Sequence, residues 1–194
     1  MSKFFRPLKI VSLVAAGLTP ISMAFAQETD SHATMHQLHH GADGTGHDES
    51  TMPGLLGADA TPEESAELAV LFRNFQSLHR EVENLPNGIR TITYSDDPEV
   101  MDVLISHVAG MIDRVEEGRD PQIIIQSPTL DIFFERNEAI TSEISVTDEG
   151  IVVVQTSDDP EVVEALQVHA AEVSAMADRG MQAVHEMMMK RAGQ

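Results

Sequence analysis

The sequence predicts an α+β domain in which two pseudo-symmetric helix-strand-strand-helix repeats form one four-stranded antiparallel sheet covered by helices. Three observations predict it. Gly88-Ile89 opens a segment that reaches Ser95-Asp96-Asp97-Pro98-Glu99-Val100 and then His107, and Gly150-Ile151 opens another that reaches Ser157-Asp158-Asp159-Pro160-Glu161-Val162 and then His169. With Gly88 to Gly118 aligned on Gly150 to Gly180, an offset of 62, 12 of 31 positions are identical. In both copies two short apolar runs joined at a turn give way to a long stretch of helical period, the pattern of a hairpin followed by a covering helix.

The elements follow in order. Thr61-Pro62-Glu63-Glu64 is a helix start, with a threonine cap, proline in the first turn and acids beside it. Ala66, Leu68, Leu71, Phe72 and Phe75 then lay an apolar stripe to about Gln76. Val82 to Leu85 and Ile89 to Tyr94 are strands joined at Pro86-Asn87-Gly88, and Asn-Gly is a strong hairpin signal. In the second copy Ile140 to Val146 and Ile151 to Thr156 pair across Asp148-Glu149-Gly150. Ile151-Val152-Val153-Val154 does not alternate, which predicts a strand covered on both faces. Asp97 and Asp159 precede Pro98 and Pro160. The acidic pairs suggest calcium, but a helix cap explains them more simply. The helices then run from Pro98 to about Glu117 and from Pro160 to about Arg179, with the second extending toward Lys190. A shorter helix, Leu130 to Arg136, precedes the second copy. Arg119 to Pro128 links the copies, and its Ile123-Ile124-Ile125 is too apolar for a free linker. The repeats thus span about 62–118 and 129–190 in a domain of residues 59–194.

Residues 1–26 read as an export signal. Lys3, Arg6 and Lys9 precede an apolar run, Ile10 to Leu18, and Ala24-Phe25-Ala26 gives the small-x-small pattern of a cleavage site. The run is shorter than the roughly 20 residues of a membrane span, and Pro20 follows it closely. This predicts a periplasmic protein starting at Gln27, with no membrane association after cleavage. Removing the three basic residues leaves 9 Lys and Arg against 32 Asp and Glu, a formal charge of −23. Nucleic acid and anionic membranes repel such a chain, whereas metal ions suit it. There is no cysteine, which excludes disulfides, thiolate nucleophiles, iron–sulfur clusters and covalent haem attachment through cysteine. No Gly-x-Ser-x-Gly, phosphate loop or His-Glu-x-x-His occurs, so an enzyme is not expected.

The candidate ligands fall into three groups. Residues 27–58 have the composition of a disordered arm and hold His32, Met35, His36, His39, His40 and His47, with Met52 beyond them. Such a tract binds divalent metals, and methionine beside it suits copper. His107 and His169 each lie on the apolar face of their helix, so each ring is neutral and hydrogen-bonded, or bound to a metal or cofactor. They are two equivalent core positions or two halves of one site. Met111, four residues after His107, adds a thioether that suits Cu(I) or haem iron. At the C-terminus Met181, His185, Met188 and Met189 share one helical face and form either a Cu(I) cage or a packing surface.

The arm resembles the His/Met-rich segments of exported bacterial copper-resistance and copper-handling proteins, over about a fifth of the mature chain and in composition alone. The body resembles exported bacterial proteins that carry an Asn-Gly hairpin and then Ser-Asp-Asp-Pro-Glu-Val before a histidine-bearing helix, a resemblance that brings no activity with it. The reading these features predict is a periplasmic copper-binding protein acting in sequestration, tolerance or delivery. The alternatives are a non-covalent haem or small-ligand carrier using His107 and His169, and a non-catalytic module that docks another periplasmic protein.

Overall fold

The two hairpins of the duplication join into one sheet. In the computed structural model, which describes residues 53 to 193, strand β1 (Leu78–Leu85) pairs with β2 (Gly88–Ser95), and β3 (Thr141–Thr147) with β4 (Gly150–Thr156). β2 also pairs with β4, so the order is β1-β2-β4-β3, antiparallel throughout. The register is symmetric. Thr91 lies opposite Val153, and these two residues are themselves 62 apart, the offset of the repeat. A twofold that exchanges the copies maps this pair onto itself, so the pseudo-axis passes between Thr91 and Val153. The outer pairs obey it: Arg80 faces Thr93, and Ser142 faces Gln155.

Five α-helices among the described residues accompany the sheet: α1 (Pro62–Arg73), α2 (Pro98–Glu116), α3 (Asp131–Glu135), α4 (Pro160–Arg179) and α5 (Met181–Ala192). The caps form as their residue types dictate. Thr61 and Glu64 make a reciprocal capping box that satisfies two backbone donors at once. Asp97 accepts from the backbone of Glu99 and Val100, and Asp159 from that of Glu161, so these aspartates cap helices. α2 and α4 end before equivalent glycines, Gly118 and Gly180, with φ of +65° and +56°, a conformation that suits residues without a Cβ. α2 contributes Val100 and Leu104 to one core cluster with Ile151 and Val153; α4 contributes Val162, Leu166 and Ala170 to another with Ile89 and Phe133.

Several boundaries differ from expectation, each for a physical reason. β1 begins at Leu78, four residues before Val82, because His79, Arg80 and Glu81 hide the strand's apolar pattern. The second long helix ends at Arg179, where its period predicts, and the further run to Lys190 is a separate helix. The break falls at Gly180, whose added Cβ would stand 2.8 Å from the Phe75 ring. Leu130 to Arg136 is divided between a 3-10 turn, Pro128–Leu130, and the short α3. In the triple isoleucine, Ile125 packs into the core and Ile124 is exposed. Ile151, Val152 and Val153 are all buried. The helical clusters take Ile151 and Val153, while alternation turns Val152 to the far face, where Ile92 and Ser145 flank it across the strands. Residues 53–58, placed with the arm by composition, belong instead to the body. Leu55 is buried with Phe72 and Val184, and Gly57 bridges Ile123. Backbone pairing of this kind needs no apolar period. Residues 1–52, with the expected signal segment, lie outside the described residues. Among the described residues no helix is long and apolar enough to cross a membrane.

Candidate functional site

His107 of α2 and His169 of α4 occupy equivalent places, 62 residues apart, and both line one cavity of about 310 Å³ between helices and sheet. Thr91 and Val153 line it too, so the cavity lies over the pseudo-axis. Its wall is mostly apolar, with Leu104, Val108, Ile125 and Met176 among the lining residues. Phe133 meets the His169 ring edge-on, with centroids 5.6 Å apart.

Each imidazole has a carboxylate beside it. His107 Nδ1 lies 3.8 Å from Glu67 Oε2, and His169 Nδ1 lies 3.8 Å from Glu172 Oε2. Both Nδ1 atoms are buried and make no hydrogen bond among the described residues. At this distance neither pair is a formed hydrogen bond. Each is an ion pair that a proton on the ring would complete. His107 holds the Glu67 carboxyl below the usual carboxylate range, against the cost of its burial, and the Ser106 hydroxyl assists. Burial pushes the Glu172 carboxyl up, but His169 and the Ser127 hydroxyl together outweigh it and leave the group below its ordinary value. With Nδ1 turned to a carboxylate, ring geometry leaves Nε2 for a ligand, the usual arrangement of a ligating histidine.

Duplication alone does not account for this pairing. The position equivalent to Glu67 is Thr129, and the position equivalent to Glu172 is Gly110. The imidazoles are copies of one another, whereas their carboxylates come from unrelated places: α1 for His107, and one turn along α4 for His169.

No family model, curated protein or solved structure matches this chain. The structure brings His107, His169 and Met111 to the same cavity, and adds Met176 and Met187. It treats the C-terminal group differently. Met181 turns inward to pack beside Leu55, Phe72 and Val184, whereas His185, Met188 and Met189 are exposed on the outer side of α5. His32, Met35, His36, His39, His40 and His47 lie outside the described residues. Among the described residues no group of three or more His, Asp or Glu side chains gathers as a metal site.

Sequence reasoning missed Glu67, Glu172 and Arg80. The carboxylates come from residues that read as the solvated faces of helices. Arg80 had a usable signal, because it stands between Leu78 and Val82 on one face of an alternating strand and so points where they point. Starting the strand at Val82 conceals that.

Proposed function

We propose that the chain is an exported carrier of one small, mostly apolar ligand, held between the repeats with His107 and His169 as polar anchors. The observation that carries this reading is the convergence of both repeat histidines on a single apolar cavity, each with a buried, unpartnered Nδ1 beside a carboxylate. Packed cores hold few voids larger than a water molecule. At 310 Å³ the space instead falls at the small end of the range of ligand pockets, roughly 300–1,000 Å³. A few polar groups on an apolar wall is also the usual make-up of such sites.

Titration of the mature protein with 1-aminoanthracene, a neutral apolar fluorophore, tests the reading. The expected result is saturable, blue-shifted emission at one equivalent. Val173→Phe places a ring in the cavity, so it should abolish the signal while the chain still unfolds cooperatively. No binding to the wild type, or binding that V173F leaves intact, refutes the carrier reading.

Copper is the second reading. It is supported by Met111, Met176 and Met187, which line the same cavity as the two imidazoles, a donor set suited to Cu(I). Against it stands the volume, far larger than a bare ion needs.

A further inference from the structure

Arg114 is buried and Arg80 half-buried, and their surroundings differ. Arg114 is 2% exposed. Its guanidinium donates to both carboxylate oxygens of Glu64, to Asp59 Oδ2 at 2.9 Å and to the Asp59 carbonyl at 2.7 Å. That is how a structural guanidinium is satisfied under side chains: by paired charges and filled donors. Arg80, on β1, lines the cavity. Among the described residues it makes one hydrogen bond, from Nη1 to the neutral Thr93 Oγ1 at 2.6 Å. Its Nε is buried without a partner. Burial lowers its pKa to about 10, so the group stays charged at neutral pH.

The equivalent position in the second repeat carries no cation. Arg80 and Thr93 are a cross-strand pair whose equivalents in the second repeat are Ser142 and Gln155. That pair is neutral, and Gln155 Nε2 donates to Ser142 Oγ at 3.2 Å. The positive charge was placed on one side of an otherwise symmetric chamber. The donors without a protein partner are Nη2 and the buried Nε, the side-on edge of the guanidinium, whose two parallel N–H bonds match the two oxygens of a carboxylate.

We infer that the ligand is an amphipathic monocarboxylate, seated with its carboxylate on the Nε–Nη2 edge of Arg80 and its apolar part in the cavity. This rests on the carrier reading and narrows it to a substrate class. The cavity of about 310 Å³ has the size of a small-ligand site, and a medium-length acyl chain is the simplest apolar part to test in it. A half-buried guanidinium with no counter-charge beside it is partly desolvated, and an arriving carboxylate offsets that cost with a charge-assisted pair. An alcohol of the same chain length gains only the apolar part.

Displacement of 1-aminoanthracene from the mature protein by decanoate and by 1-decanol at neutral pH compares the two head groups on one chain length. Decanoate is expected to bind roughly tenfold to a hundredfold more tightly, the usual worth of hydrogen bonds to a charged group. Arg80→Gln should abolish that preference, bringing the affinity for decanoate to within about twofold of that for decanol measured on the same variant. Arg80→Lys, which keeps the charge and loses the fork, should retain part of the preference. Because R80Q removes an unpaired charge, the ligand-free variant should melt no lower than the wild type. Equal affinity of the wild type for decanoate and decanol overturns the inference and leaves the carrier reading intact. A preference that survives in R80Q overturns it too, and a lowered melting temperature alongside would mark Arg80 as structural. If 1-aminoanthracene does not bind at all, the carrier reading fails first and this inference with it.

Discussion

Glu64→Gln separates a satisfied arginine from an unsatisfied one. The amide keeps the shape of the side chain and can still complete the capping box with Thr61. What the substitution removes is the charge opposite Arg114, whose side chain is 3% exposed against 18% for Glu64. Breaking a fully buried pair costs about 3–5 kcal/mol. Here Asp59 Oδ2 and two backbone carbonyls remain on the guanidinium and the pair lies near the surface, so about 2 kcal/mol is expected. For a chain of this size that lowers the melting temperature by roughly 4–8 °C. The pH dependence has a definite sign. Hydrogen bonding to Arg114, opposed by burial and aided by Thr61, holds the Glu64 carboxyl below its ordinary 4.5. Its contribution is therefore complete above about pH 4.5 and is lost as the pH falls through the lower folded value. Circular dichroism melts of wild type and E64Q should differ by a constant amount near neutrality and converge only well below pH 4.5. A difference under about 2 °C at pH 7, or one already closed at pH 5, would refute the claim that the charge of Glu64 is what satisfies Arg114.

Other expectations follow from single features. Gly180→Ala should cost about 1–2 kcal/mol or more in urea unfolding, because φ is +56° and the new Cβ would meet the Phe75 ring at 2.8 Å. Gly110→Ala, in mid-helix with nothing within 4 Å of the added Cβ, should instead stabilise by roughly 0.5–1 kcal/mol. If Cu(I) occupies the cavity, His107→Ala with Met111→Leu should weaken it in competition with a chromophoric chelator, and His185→Ala with Met188→Leu should not; the reverse outcome would move copper to the outer side of α5. A chain lacking residues 27–52 should bind 1-aminoanthracene as the full mature chain does, and loss of that binding would show that the cavity is not complete within residues 53–193.

The repeat, the caps and the sheet were legible because each is carried by local residue chemistry. Asp-Pro fixes a helix start wherever it falls, and Asn87-Gly88 fixes a hairpin. Equivalent histidines on apolar faces also announced themselves, although their convergence on one cavity depends on how the copies pack. The rest was hidden by context. Arg80 belongs to the strand alternation only once β1 is known to begin at Leu78, and a charged residue weighs against that very assignment. Glu67 and Glu172 look like ordinary solvated glutamates until the fold sets imidazoles beside them. The C-terminal methionines share a helical face on paper, but the sequence does not say which side of α5 meets the body, and the buried Ala183 and Val184 decide it.

The symmetric register has a further consequence for assembly. β2 and β4 meet across the pseudo-twofold, so the edge that receives one repeat is nearly the edge that receives the other. Two chains that exchanged their second repeats would reproduce the same pairings, with Thr91 of one opposite Val153 of the other, and would close into a swapped dimer at little enthalpic cost. The segment between the copies works against this. Gly57 bridges Ile123, and the amides of Ile124 and Ile125 donate to the carbonyls of Leu56 and Gly54, which ties the crossover to the segment just before α1 of the same chain. Those few backbone contacts act as a topological latch: they select the intramolecular partner from two that the sheet itself can scarcely tell apart.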